Sequence, residues 1–145
     1  MRPAARALLG EAIMGDVLIV ESDQLIRGLL TECLEDAGYT VLTCSCESNL
    51  PELRNHPIAL IIADIALPKR RCTQIVDRLR QGRPDTPIIV TSAHFRGVVG
   101  NASTAKQWGA NRLLAKPFSR SQLLEAVAVV LRSTSRAHDE RPPVR

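Results

Sequence analysis

Val17-Leu18-Ile19-Val20-Glu21-Ser22-Asp23 joins an unbroken aliphatic run to an acidic stop. Such a run, with no polar alternation, predicts a strand covered on both faces, as in a parallel sheet. The pattern returns in Ile58-Ala59-Leu60-Ile61-Ile62-Ala63, which runs into Asp64, and in Ile88-Ile89-Val90, which follows Pro87 and runs into Thr91-Ser92. Two weaker runs, Tyr39 to Cys44 and Asn111 to Ala115, complete a set of candidate strands.

Helical patterns fall between them. Asp23 is placed to cap a helix from Gln24 to Ala37, whose expected apolar face is Leu25, Ile26, Leu29, Leu30, Cys33, Leu34 and Ala37, with Gly38 as its stop. A short, poorly patterned helix is expected over Asn49 to Asn55, with Pro51 in its first turn, followed by a turn at His56-Pro57. Leu67-Pro68 breaks the chain. Thr73 to Gln81 carries Ile75, Val76 and Leu79 on one face and ends at Gly82. Val99 to Trp108 is the next expected helix, closed by Gly109. Ser119 caps a last one from Arg120 to Arg132, with Leu123, Leu124, Val127, Val130 and Leu131 inward.

Five strands alternating with five helices predict an α/β fold: a five-stranded parallel sheet with helices on both faces. One domain over 15–132 is expected, after an N-terminal extension over 1–14 and before a polar tail over 133–145, rich in charge and carrying Pro142-Pro143, that is expected to be disordered. Met14 is an alternative start.

Composition excludes several functions. The 145 residues are 45% apolar and 23% charged, ordinary globular usage. One Trp, one Tyr and two Phe leave an aliphatic core and no base-stacking platform, and a net charge of +4 falls short of a dedicated nucleic-acid binder. Direct nucleic-acid contact is therefore not expected. No apolar run reaches membrane-spanning length, and the segment from Met1 to Met14 is interrupted by Gly10 and Glu11, unlike a secretory leader. Cys33, Cys44, Cys46 and Cys72 form no CxxC pair, which suits reduced thiols in a cytoplasmic protein better than a zinc site.

In an open parallel sheet, ligands bind beyond the carboxyl ends of the strands. The expected strands end in Glu21-Ser22-Asp23, in Asp64, in Thr91-Ser92 and in Lys116-Pro117. Carboxylates, hydroxyls and one lysine thus converge on a single rim, where the carboxylates need a divalent cation or the lysine to balance them.

These strand ends, in this order, resemble the receiver domains of bacterial two-component response regulators. The resemblance rests on Val17 to Asp23, on Ile61-Ile62-Ala63-Asp64-Ile65-Ala66-Leu67-Pro68, on Pro87 to Ala93, and on Gly109 to Phe118 with its Lys116-Pro117-Phe118. It covers about Asp16 to Arg132 and implies the flavodoxin-like, CheY-like (βα)5 fold. It further implies that Asp64 accepts a phosphoryl group from a histidine kinase, a phosphotransfer protein or a small phosphodonor. By the same resemblance, Lys116 would pair with the acyl phosphate and Ser92 would bond a phosphoryl oxygen, and magnesium would be held by Glu21, Asp64 and the carbonyl of Ala66. The resemblance implies a cytoplasmic signal transducer rather than an enzyme, a monomer or weak dimer that acts on a downstream protein target. With only a short tail after Arg132, no output module is expected.

Several positions depart from the pattern. Ser22 replaces an acidic residue that touches the metal, and Leu113 replaces the usual inward-swinging aromatic ring. Lys69-Arg70-Arg71-Cys72 replaces a glycine-containing, often acidic loop, and is expected as a solvated turn. The first two departures keep an alternative in view, a pseudo-receiver that binds proteins without phosphorylation. Asp23 sits one residue too late for a ligand and reads as a helix cap. His94 reads as a loop histidine. Trp108 is either an interface anchor or a filler of the aliphatic core. A phosphatase using Asp64 as nucleophile would want a second Asp where Ala66 stands, and a flavin site would want glycines where Glu21-Ser22-Asp23 repels phosphate.

One charge pair at roughly 4 Å and an effective dielectric near 20 is worth about 4 kcal/mol before desolvation. Ser22→Asp is therefore expected to tighten magnesium binding by about tenfold or more, some 1.4 kcal/mol, in a calorimetric titration. Unchanged affinity would mean that Glu21 or Asp23 already supplies the missing charge.

Overall fold

The aliphatic runs become the strands of one sheet. The computed structural model describes residues 15–46, 55–65, 69–93, 105–106 and 108–139, without the side chains of 69–73 and 135–139. The elements are β1 (Asp16–Val20), α1 (Gln24–Asp36), β2 (Val41–Cys44), β3 (Ile58–Asp64), α2 (Lys69–Arg80), β4 (Ile88–Ser92), β5 (Arg112–Ala115) and α3 (Arg120–Asp139). Every strand pair is parallel, and the order is β2-β1-β3-β4-β5.

Alternation along each strand splits the core into two layers. On one face Val17, Ile19, Leu60, Ile62, Ile89 and Leu114 pack with Leu30 and Leu34 of α1 and Leu123, Val127 and Val130 of α3. On the other, Leu18, Val20, Ile61, Ala63, Val90 and Leu113 pack with Val76 and Leu79 of α2. Trp108 is buried in this second layer, so of its two readings the core filler holds.

Four local devices fix the frame. Asp23 caps α1, its Oδ1 accepting the N–H groups of Leu25 and Ile26 at 2.9 and 3.1 Å. Asn111 lies just before β5 and ties it to β4 and α2: its Oδ1 accepts from the Ile88 N–H and from Arg80, each at 2.9 Å. His56 and Asp16 pair at 2.7 Å at the base of the sheet. Beside that pair Gly15 has φ of +123°, and a Cβ there would lie 2.6 Å from the Pro57 carbonyl oxygen. Glycine satisfies both constraints at once.

Three expectations need correction. The helix after Asp64 begins at Lys69, not Thr73, so the backbone of Lys69-Arg70-Arg71 forms its first helical turn rather than the turn expected before it. Lysine and arginine are good helix formers, and Pro68 immediately before them suits a helix start. The last helix continues past Arg132 to Asp139, into the segment expected to be disordered. There the Ser133 and Thr134 hydroxyls donate to the carbonyls of Val129 and Val130, and no Gly or Pro intervenes to stop the helix. Of the expected apolar face of α1, Leu30 and Leu34 are buried, but Leu25 and Leu29 are 80% and 63% exposed. The sheet meets only a narrow stripe of the helix, and these two leucines lie outside it. Gly28 lies between them, exposed, and an added Cβ would meet nothing within 4 Å. Mid-helix glycine costs about 1 kcal/mol relative to alanine, with no packing among the described residues to require it.

The helix expected over Asn49 to Asn55, most of that over Val99 to Trp108, and residues Ala66 and His94 lie outside the described residues. Gly15→Ala is expected to cost about 2–4 kcal/mol in urea unfolding, through the left-handed φ and the contact with Pro57 together.

Candidate functional site

Parallel pairing brings the carboxyl ends of β1, β3, β4 and β5 to one rim. β3 lies between β1 and β4, so Asp64 is central. Asp64 pairs in register with Thr91, and Ser92 with Ala115, one residue before Lys116. The backbone closes the rim further: Ile65 N–H donates to the Thr91 carbonyl at 2.9 Å, and Lys116 N–H to the Ser92 carbonyl at 3.0 Å.

The side chains converge on one ammonium. Lys116 Nζ lies 2.8 Å from Asp64 Oδ1 and 3.1 Å from Glu21 Oε1. Three strands, far apart in sequence, thus supply one ion triad. Glu21 is only 2% exposed, Asp64 15% and Lys116 19%. The triad carries two negative charges against one positive. Glu21 Oε2 is buried with no hydrogen-bond partner, as is Thr91 Oγ1. The first is an acceptor that a cation would satisfy.

The electrostatics follow from burial. Desolvation raises the Glu21 carboxyl above its ordinary value of 4.5; the Lys116 hydrogen bond pulls it back, and the neighbouring Asp64 pushes it up again. For Lys116, burial disfavours the charge, but Asp64 and then Glu21 outweigh burial and raise its pKa.

The expected residues are placed as follows. Glu21, Asp64 and Lys116 meet directly. Ser92 is buried at the end of β4, beside both β3 and β5. Ser22 is exposed, and Asp23 is spent on the α1 cap, so neither adds a carboxylate to the triad. Ala66 lies outside the described residues. Thr91, buried beside Asp64 with an unpartnered hydroxyl, is a rim residue to which sequence reasoning gave no role; its place at the end of a buried strand was the available signal. The Lys116–Pro117 peptide is cis.

Glu21 and Asp64 offer hard carboxylate oxygens, one of them orphaned. That donor set fits magnesium, which is held by one or two carboxylates and keeps several waters. Among the described residues, no group of three or more His, Cys, Asp or Glu gathers anywhere, so a richer metal cage is not present there.

Because the folded pKa of Glu21 is raised, its contribution to stability is present below the unfolded value and is lost as pH rises through the folded one. In metal-free buffer, Glu21→Gln is therefore expected to melt above wild type, by a margin that widens as pH rises above the ordinary Glu21 value of 4.5. A margin that narrows with rising pH would mean that the Lys116 attraction, not burial, governs Glu21.

Comparison with known proteins agrees with this geometry. Residues 17–128 match the response regulator receiver domain family. The response regulator protein FleR of Pseudomonas aeruginosa is 34% identical over 113 residues, covering 77% of this chain and 24% of that protein. The transcriptional regulatory protein CpxR of Escherichia coli K12 is 29% identical over 119 residues, covering 82% and 50%. The chain thus spans between about a quarter and a half of such relatives. The chemotaxis response regulator CheY4 of Vibrio cholerae superposes with a TM-score of 0.66 at 27% identity, covering 81% of this chain and 98% of that one. A CheY-like receiver domain protein from Methanospirillum hungatei shares the fold with a TM-score of 0.71. An aspartate at the centre of a parallel rim, bound to a lysine from the last strand and matched over 17–128, places this chain in the response regulator receiver domain family, a CheY-like module of phosphorelay signalling.

Proposed function

We propose that Asp64 is the residue that accepts the phosphoryl group, from a histidine kinase, a phosphotransfer protein or a small acyl phosphate. The contact of Lys116 Nζ with Asp64 Oδ1 at 2.8 Å carries this reading. Lys116 orients the carboxylate for attack on phosphorus. As the new P–O bond forms, the bond from phosphorus to the donor nitrogen or oxygen breaks, and the donor leaves with that electron pair. The lysine then faces the anionic acyl phosphate. Ser92, from its place at the end of β4, accounts for a hydrogen bond to a phosphoryl oxygen.

Glu21 and Asp64 are the residues that would hold magnesium, with the Ala66 carbonyl as a further donor by resemblance. A bound ion there supplies positive charge against the phosphoryl oxygens, which such transfer needs. Because Ser22 is neutral, that ion is held weakly. Catalysis of substrate turnover is not part of this reading: the domain is a cytoplasmic signal transducer, and its output is a changed set of contacts with a downstream protein. Among the described residues, no helix is long and apolar enough to cross a membrane.

Intact-mass spectrometry after incubation with magnesium and acetyl phosphate is expected to show one added phosphoryl group on wild type and none on Asp64→Ala. Lys116→Ala should lose most of the labelling while retaining the fold by circular dichroism. No added mass on folded wild type would overturn the proposal and turn attention to a phosphorylation-independent binding role.

A further inference from the structure

We propose that the Thr91 hydroxyl is a second donor to Asp64, without a partner in the free protein and engaged once Asp64 carries a phosphoryl group. This role rests on the reading of Asp64 as the phosphoryl acceptor. Thr91 is 1% exposed, and its Oγ1 is buried with no hydrogen-bond partner. A buried hydroxyl left unpaired costs stability. Folding alone does not explain it, because valine has nearly the same shape, suits a strand as well and carries no polar atom. Ile88, Ile89 and Val90, the three residues of β4 before it, are apolar and wholly buried.

Register decides which group the hydroxyl serves. Paired residues of neighbouring parallel strands lie on one face of the sheet, about 4.8 Å apart. Thr91 has two such partners, Asp64 on β3 and Leu114 on β5. The leucine side chain has no polar atom, so the carboxylate is the acceptor. The layers of the core agree. Ile62 and Ile89 lie in the layer under α1 and α3, and Asp64 and Thr91, each two residues further on, keep that side. Glu21 stands two beyond Ile19 and Lys116 two beyond Leu114, so the hydroxyl shares its side of the sheet with the whole triad. Ser92 is one residue further out, level with Ala115 and not with Asp64. The two neighbouring hydroxyls therefore serve different oxygens: Ser92 those of the phosphoryl group, Thr91 that of the carboxyl group.

Charge sets the timing. In the free protein Lys116 already donates to Asp64 Oδ1 at 2.8 Å, and an ammonium is the stronger donor to a carboxylate. On phosphorylation Lys116 turns to the phosphoryl oxygens, and the carboxyl oxygen that remains a carbonyl loses its donor. Thr91 needs no backbone movement to replace it, since register partners are already adjacent. A bond made in the phosphorylated state and missing in the free one stabilises the first relative to the second.

Beryllium fluoride with magnesium, a phosphoryl mimic that adds to a carboxylate oxygen, tests this at equilibrium. In calorimetric titration Thr91→Val is expected to bind it about tenfold more weakly than wild type, while the free variant melts above wild type because the orphan is gone. Thr91→Ser keeps the hydroxyl and loses a buried methyl. It should bind within about threefold of wild type but melt below it. Binding then follows the hydroxyl and stability follows the methyl, a split that a purely structural role does not produce. Unchanged binding by Thr91→Val overturns the proposal, as does a Thr91→Ser that binds no better than Thr91→Val. So does a free Thr91→Val that melts below wild type, because the hydroxyl then has a partner before phosphorylation. Wild type that binds no beryllium fluoride overturns it as well; if acetyl phosphate adds no mass either, the reading of Asp64 falls with it.

Discussion

The Lys116 ammonium sits between two carboxylates that it did not meet in sequence, and the rim of this fold is organised around that contact. Glu21 is almost wholly buried, and an ionised carboxylate in that position is costly unless it is paired. Lys116 pairs with it and with Asp64 together. Removing the lysine would leave both carboxylates uncompensated, and breaking a buried ion pair in that way typically costs about 3–5 kcal/mol. The sheet order makes the contact possible: β1 and β4 flank β3, and β5, paired with β4, leads into Lys116, whose ammonium reaches the central aspartate.

The triad is balanced only in part. One positive charge faces two negative ones, and Glu21 Oε2 is left without a partner. This imbalance distinguishes the triad from a closed structural salt bridge and is the feature on which the proposed cation and phosphoryl chemistry rests. Ser22 does not deepen it. Its neutral, exposed side chain adds nothing to the carboxylate set, and Asp23 next to it is committed to starting α1. A single residue's displacement along the chain thus separates a helix cap from a metal ligand.

The two faces of the sheet are finished differently. The face under α2 receives Trp108, which supplies volume that an aliphatic core otherwise lacks. The face under α1 and α3 buries Leu30, Leu34, Leu123 and Val127 but leaves Leu25 and Leu29 in solvent, next to the groove that ends at Lys116.

Unbroken aliphatic runs ending in Glu21, Asp64 and Thr91-Ser92 were enough to determine a parallel sheet and the rim on which its chemistry lies, because strands buried on both faces leave that periodicity in any sequence. The Asp23 cap was legible for the same local reason. Tertiary structure alone decided what depended on distant partners. It put Lys116 within 3 Å of Asp64, left Glu21 Oε2 unpaired, buried Trp108 and withheld cover from Leu25 and Leu29. It also carried the last helix to Asp139. Helical spacing states which residues share a face, but how much of that face a neighbour covers is set by the width of the sheet beneath it.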